Sequence, residues 1–121
     1  MRFTIPLPPV TKKNSQRIVT GRNGRPFILP SKAFTEYELN AAIFVPKCQL
    51  DGKFEVTAVF YMPTHRRVDL TNLLEALDDV LVSTGLLRDD CADVIASHDG
   101  SRVRYDKDNP RTEVDIHALG V

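Results

Sequence analysis

A cluster of carboxylates between residues 69 and 93 is the part of this sequence best suited to chemistry. The segment holds seven acids and one base, Arg88, so its local charge is −6. Carboxylates at this density repel each other unless a cation or a basic partner compensates them. Because the segment has no pair of Cys or His residues, its oxygen ligands favour magnesium or manganese over zinc. The acids are Asp69, Glu75, Asp78, Asp79, Asp89, Asp90 and Asp93.

Several of these acids fall on one predicted helix. Asp69 precedes its apolar stripe as a candidate cap, with Val68 as a hydrophobic staple, and Gly85 can end the helix in the left-handed conformation. The alternative is that Asp69 is only a helix cap and that Asp78 and Asp79 belong to a solvated face. The stripe consists of Leu70, Leu73, Leu74, Leu77, Val80 and Leu81, which recur at helical spacing.

A strand is predicted immediately before this helix, over residues 54–62. Its alternate residues are apolar and would share one face of a sheet. The end of the strand delivers Arg66, Arg67 and Asp69 into the turn before the helix, which is a common place for functional residues.

The remaining pattern predicts one α+β domain over residues 1–121, with a mixed sheet packed by two main helices. The strand at 102–105 is expected to pair with the final strand, and Ser31 is expected to cap the first helix. The further elements are predicted over residues 1–7, 18–20 with 25–29 as a hairpin, 31–44 as a helix, 94–97, 102–105 and 112–117.

Basic residues are concentrated at the other end of the chain. The first 35 residues carry seven bases and no acid. A phosphodiester-cutting enzyme needs bases that hold the polyanion and carboxylates that hold a cation, whereas an ordinary solvated basic face is the alternative. The candidate phosphate contacts are Lys12, Lys13, Arg17, Arg22, Arg66 and Arg67.

Other features limit the protein class. No apolar run is long enough to span a membrane, and no secretory signal leads the sequence. Cys48 and Cys91 lack metal-type spacing and are interpreted as two reduced thiols in a cytoplasmic protein. The three histidines are scattered and are interpreted as surface or core residues.

The order and spacing of the acidic residues resemble the RusA family of Holliday junction resolvases, and the resemblance extends over nearly the whole chain. In that family an Asp-x-Asp-Asn motif opens a helix, a Lys follows one turn later, and an Asp-Asp pair lies about twenty residues on. The matching features here are Asp69 with Asn72, Asp79, Gly85, Asp89 with Asp90, the strand end Tyr61-Met62-Pro63 with Arg66 and Arg67, and the early Pro-Leu-Pro-Pro segment with Asn14.

Two residues depart from the family pattern. Thr71 stands where the family has its second Asp, and Glu75 stands where it has its Lys. The first change removes a carboxylate, whereas the second adds one a helical turn away. Glu75 is therefore expected either to restore the acid count or to mark a variant with weak activity or none.

The resemblance implies a small dimeric endonuclease that cuts four-way or branched DNA in recombination and repair. Its metal ligands would be Asp69, Asp89 and Asp90, its catalytic carboxylates Asp69, Asp90 and Glu75, and its cofactor Mg²⁺ or Mn²⁺. A two-fold homodimer and a bacterial or phage-derived cytoplasmic setting are expected with it. The alternatives are a branched-DNA-binding protein without catalysis and a protein whose acidic patch binds a basic protein partner.

Overall fold

The computed structural model describes residues 1–12, 17–29 and 31–120, with side chains described except at 17–19 and 27–29. The chain forms one α+β domain, as predicted, with two α-helices and a five-stranded mixed sheet. The elements are β1 (Arg2–Ile5), β2 (Arg17–Thr20), β3 (Pro26–Leu29), α1 (Lys32–Ala41), a 3₁₀ turn (Ala42–Phe44), β4 (Phe54–Met62), α2 (Leu70–Ser83), β5 (Ile95–Ser97), β6 (Arg102–Tyr105) and β7 (Arg111–Ala118).

The sheet is built around β4. One edge of β4 pairs antiparallel with β7, which pairs antiparallel with β1 on its other side. The second edge of β4 is shared by β5 and β6, which both run parallel to it. The prediction that 102–105 pairs with the final strand is therefore wrong. Both edges of β7 are already taken by β1 and β4, so β6 pairs with the exposed stretch of β4 over Val59–Met62.

The core lies on one face of this sheet, because both helices bury their apolar residues in the same cluster. Along β4 the even-numbered positions 54 to 60 are buried and the odd-numbered ones are half-exposed, as the alternating sequence predicts. Each fully buried Leu or Val contributes about 1.5–3 kcal/mol to stability. The buried residues of α2 are Leu73, Ala76, Leu77, Val80 and Leu81, which confirms the predicted stripe.

The predicted helix ends are also observed. Ser31 Oγ accepts a hydrogen bond of 3.1 Å from the Phe34 amide, so Ser31 caps α1. After α2, Gly85 adopts a φ of +83° and its amide donates to the Val82 carbonyl at 3.0 Å. These ends fix the direction in which the chain enters and leaves each helix.

The hairpin of β2 and β3 turns through residues 21–25, as predicted. The Gly21 amide donates to the Arg25 carbonyl at 2.8 Å, and Gly24 adopts a φ of +76°. Elsewhere, Cys48 and Cys91 are free and exposed, as expected for reduced thiols. Neither helix of the described residues combines the length and the apolar character needed to cross a bilayer.

Candidate active site

The loop between β4 and α2 presents Asp69 at the start of the helix. The Asp69 carbonyl accepts the first helical hydrogen bonds, from the amides of Asn72 and Leu73, both at 3.1 Å. Its carboxylate makes no capping bond to the backbone and instead accepts from Asn72 Nδ2 at 3.3 Å. Asp69 therefore occupies the N-cap position through its backbone, and its carboxylate is exposed.

Three clefts meet at this loop, and Arg67 and Val68 line all of them. The smallest, of about 200 Å³, also contains Thr11, Asp69 and Asn72. Arg66 lines the two larger clefts, of about 560 and 370 Å³. Arg66, Arg67 and Asp69 therefore follow the end of β4, as predicted, and lie in one concave, partly basic region.

A lysine lies against the outer side of α2. Lys12 Nζ forms a short ion pair with Asp79 Oδ2 and lies 3.7 Å from Glu75 Oε1. The hydrogen bond that Lys12 donates to Asp79 raises the pKa of Lys12, so its ammonium stays charged at neutral pH. Lys12 therefore neutralises part of the acidic cluster, and Asp79 is not simply a solvated residue.

The next acid along the helix, Asp78, faces the sheet. Its Oδ2 lies 2.8 Å from His98 Nε2, and His98 Nδ1 lies 2.8 Å from the Val56 carbonyl oxygen. Burial raises the pKa of Asp78, whereas the hydrogen bond to Asp78 raises the pKa of His98. The solvated-face interpretation of Asp78 is therefore wrong, because only 14% of its side chain is exposed.

Asp89 and Asp90 lie in the exposed segment that follows α2. The Asp90 amide donates to Asp89 Oδ1 at 2.7 Å, and this bond lowers the pKa of Asp89. The negative charge of Asp90 contributes to raising the pKa of Asp78, so its electrostatic effect reaches the part of α2 that holds Asp78. Asp78 follows Asp69 by nine residues, a rise of about 13 Å along a helix.

The other candidate phosphate contacts are distributed over three places. Arg66 and Arg67 are exposed in the loop after β4, and Arg22 is exposed in the hairpin turn. The backbone of Arg17 lies in β2, but its side chain is outside the described part of the structure. Lys13 also lies outside the described residues.

The donor types fit an oxygen-preferring divalent cation, since Asp69 and Asp90 are exposed carboxylates. The number of candidate ligands that lie close together is too small for such a site. Within residues 1–12, 17–29 and 31–120, no group of three or more Asp, Glu, His or Cys side chains is close enough to hold a metal ion. The carboxylates are thus suited in kind to such a cation without forming a complete metal centre in this arrangement.

Two groups of residues at this site were not predicted from the sequence. One is the Asp78–His98 pair, whose members are 20 residues apart. The other is the stacked pair of His65 and Tyr105, with ring centroids 3.8 Å apart, beside Arg104 in the 370 Å³ cleft. Neither pair has a local sequence signal, because each depends on how the sheet brings distant segments together.

Comparison with known protein families agrees with this arrangement. The family model described as "Endodeoxyribonuclease RusA" matches residues 6–117 of the 121-residue chain. No curated protein is significantly similar in sequence to this chain. The matched region includes β4, α2, the loop that joins them and the segment with Asp89 and Asp90. Nucleases of this family are metal-dependent Holliday junction resolvases that act on branched DNA. Since the match covers most of its length, the chain belongs to the RusA endodeoxyribonuclease family.

Proposed function

We propose that this protein is a Mg²⁺- or Mn²⁺-dependent endodeoxyribonuclease that resolves four-way and related branched DNA by phosphodiester hydrolysis. The observation that carries the proposal is the position of Asp69. Its exposed carboxylate lies at the helix start, in a cleft that Arg67 also lines. A carboxylate beside a guanidinium suits a phosphodiester, because the guanidinium binds the phosphate oxygens through two parallel N–H donors.

In this proposal the arginines of the loop position the DNA. Arg66 and Arg67 are exposed and line clefts that open at the start of α2, so their charges attract the backbone without reading its sequence. Arg22 and Arg17 of the hairpin, together with Lys12 and Lys13, are assigned the same role. Lys12 retains this assignment although it pairs with Asp79, because a quarter of its side chain (26%) is exposed.

We assign the catalytic role to Asp69, Asp90 and Glu75, and divalent-cation binding to Asp69, Asp89 and Asp90. Within this set, the carboxylate of Glu75 lies 3.7 Å from the Lys12 ammonium. A lysine this close offsets the negative charge that Glu75 adds relative to the lysine of the family pattern. Substitution of Glu75 therefore tests whether it compensates for Thr71.

The proposal includes a two-fold homodimer that acts in a bacterial or phage-derived cytoplasmic setting. A four-way junction has two-fold symmetry, so two protomers related by a two-fold axis would present two sites to opposite strands. Resolution of the junction requires a cut in each of two strands, and a dimer with two sites would make both cuts.

Incubation with a four-way junction whose branch point is fixed by its sequence tests this function. With Mg²⁺ or Mn²⁺ the wild-type protein should cut the junction and leave a duplex of the same arm sequence intact. Tight binding to the junction without cleavage in either metal would instead identify a branched-DNA-binding protein without catalysis. Absence of both binding and cleavage at moderate salt would favour a basic protein partner for the acidic cluster.

A further inference from the structure

The cleft of about 370 Å³ between β6 and the loop after β4 holds an aromatic pair. The rings of His65 and Tyr105 are stacked, with centroids 3.8 Å apart and planes inclined by 28°. Tyr105 stands opposite Met62 in the parallel pairing of β6 with β4, so both side chains lie on the helix face of the sheet. Nevertheless Tyr105 is 45% exposed and His65 is also exposed. The protein therefore leaves aromatic surface uncovered at the edge of its sheet.

The charge of the same cleft is positive. Arg66, Arg67 and Arg104 line it, and none of the described residues that line it is acidic. None of the three guanidinium groups forms an ion pair with a carboxylate of the described residues. The following residue, Asp106, is held by Arg111 at 2.9 Å, so its charge is already compensated. An anion that enters the cleft meets Arg66 and Arg67, which have no carboxylate partner among the residues described, whereas Arg104 stands opposite Tyr61 and its side chain leaves the other face of the sheet.

An aromatic platform combined with arginines is the arrangement that binds single-stranded nucleic acid. Every base can stack on an aromatic ring, and the guanidinium groups bind the phosphates. Paired bases within a duplex cannot present their faces in this way. The volume of about 370 Å³ lies at the low end of the range of about 300–1,000 Å³ for ligand pockets, which suits one nucleotide.

The position of the cleft relates it to the candidate active site. Arg67 and Val68 line both this cleft and the one that contains Asp69. A strand whose phosphate lies beside Asp69 therefore reaches the aromatic pair by passing along Arg67. At a branch point, nucleotides can leave the helical stack and become available to such a platform.

We propose that the cleft formed by His65, Arg66, Arg67, Arg104 and Tyr105 binds an unpaired nucleotide of single-stranded DNA. The base stacks on the exposed face of the His65–Tyr105 pair, and Arg66 and Arg67 hold its flanking phosphates. The proposal rests on the proposed function, since it specifies which part of branched DNA the protein holds. It adds selectivity for structure to the charge attraction that the arginines provide.

Fluorescence anisotropy with a short labelled oligothymidylate measures this binding directly. Tyr105→Ala should weaken binding about tenfold, in line with the contribution of one stacked base, and Tyr105→Phe should bind as the wild type does. Phe44→Ala is the matched control, because Phe44 is 40% exposed and does not line the cleft. Its affinity should be unchanged, and duplex binding should be unchanged in all three variants. Equal affinity of wild type and Tyr105→Ala for the oligonucleotide would overturn the proposal.

Photocrosslinking gives a second measurement that needs no variant. An oligonucleotide with one 5-iododeoxyuridine should crosslink to the wild-type protein at Tyr105 or His65, as located by mass spectrometry of peptides. Crosslinks confined to other segments would overturn the proposal even if Tyr105→Ala fails to fold. The cleavage of a four-way junction is scored separately, so failure of this cleft and failure of the nuclease function give different results.

Discussion

At the scale of single residues, the hydrogen bonds of the Asp78–His98 pair limit where its protons can lie. The Val56 carbonyl can only accept a hydrogen bond, so His98 Nδ1 carries a hydrogen. At Nε2, either a charged imidazolium donates to the Asp78 carboxylate or a neutral ring accepts from a protonated carboxyl. The carboxylate raises the pKa of His98, which favours the charged ring. The pair joins α2 to the end of β5.

This pair predicts a loss of stability as the pH rises. Because the folded-state pKa of His98 is raised above its unfolded value of about 6.5, its contribution is complete below that value and is lost as the pH passes through the folded pKa. Urea unfolding from pH 6 to pH 9 should show wild type more stable than His98→Gln by about 1–3 kcal/mol at the acid end. That difference should shrink toward pH 9, and a pH-independent difference would contradict the assignment.

Lys12 and Lys13 carry a prediction on DNA affinity. Lys12→Ala combined with Lys13→Ala should weaken binding to all DNA sequences alike and reduce the slope of log affinity against log salt by about 1–2. The control is Lys32→Ala, because 80% of the Lys32 side chain is exposed and the residue was not assigned to DNA binding. An unchanged slope in the double variant would show that neither lysine meets phosphate.

Glu75 carries the prediction about the departure from the family pattern. If it compensates for Thr71, Glu75→Gln should lose affinity for Mn²⁺ and cleave more slowly, and Glu75→Lys should lose more. The matched control is Glu38→Gln, a half-buried glutamate of α1 that is outside the candidate site. Isothermal titration with Mn²⁺ and junction cleavage measure the two effects. Cutting and metal binding at the parental level in both variants would remove Glu75 from the site.

At the scale of elements, the sequence predicts local structure well and strand pairing less well. The stripe of α2, the alternation of β4, the Ser31 cap and the Gly85 stop all depend on residues close in sequence, and all are observed. The partner of β6 depends instead on which edge of the sheet remains open. That edge is decided when β7 pairs with β4, a contact between distant segments that periodicity does not encode.

Gly85 gives a prediction at this scale. At its φ of +83° an added Cβ would meet no atom within 4 Å, so any cost of Gly85→Ala is conformational. An alanine in the left-handed conformation costs about 1–2 kcal/mol, which should appear in the free energy of unfolding. Gly120→Ala is the matched control, because it is equally open and has no left-handed φ. Equal stability of the two variants would show that the end of α2 adapts to alanine without strain.

At the scale of the whole molecule, the candidate site is partly readable from sequence. The family pattern and the end of β4 place Asp69, Arg66 and Arg67 together, as the structure does. The Lys12 pairing and the aromatic cleft arise from approaches between the N-terminal segment, α2 and β6, which no spacing along the chain reveals. The assignments of Asp89 and Asp90 as metal ligands and of the homodimer stay predictions.

The most direct measurement is the single-turnover cleavage rate of a fixed four-way junction in Mg²⁺ or Mn²⁺, for wild type, Asp69→Asn and Asp90→Asn. Asp51→Asn is the control, since Asp51 is an exposed aspartate just before the start of β4, whereas the candidate site follows the end of that strand. Each site variant keeps the side-chain size and removes the charge, so cleavage should fall at least about a hundredfold while junction affinity stays within about threefold. Wild-type protein that binds the junction but does not cut it, or Asp69→Asn that cuts at the wild-type rate, would contradict the account.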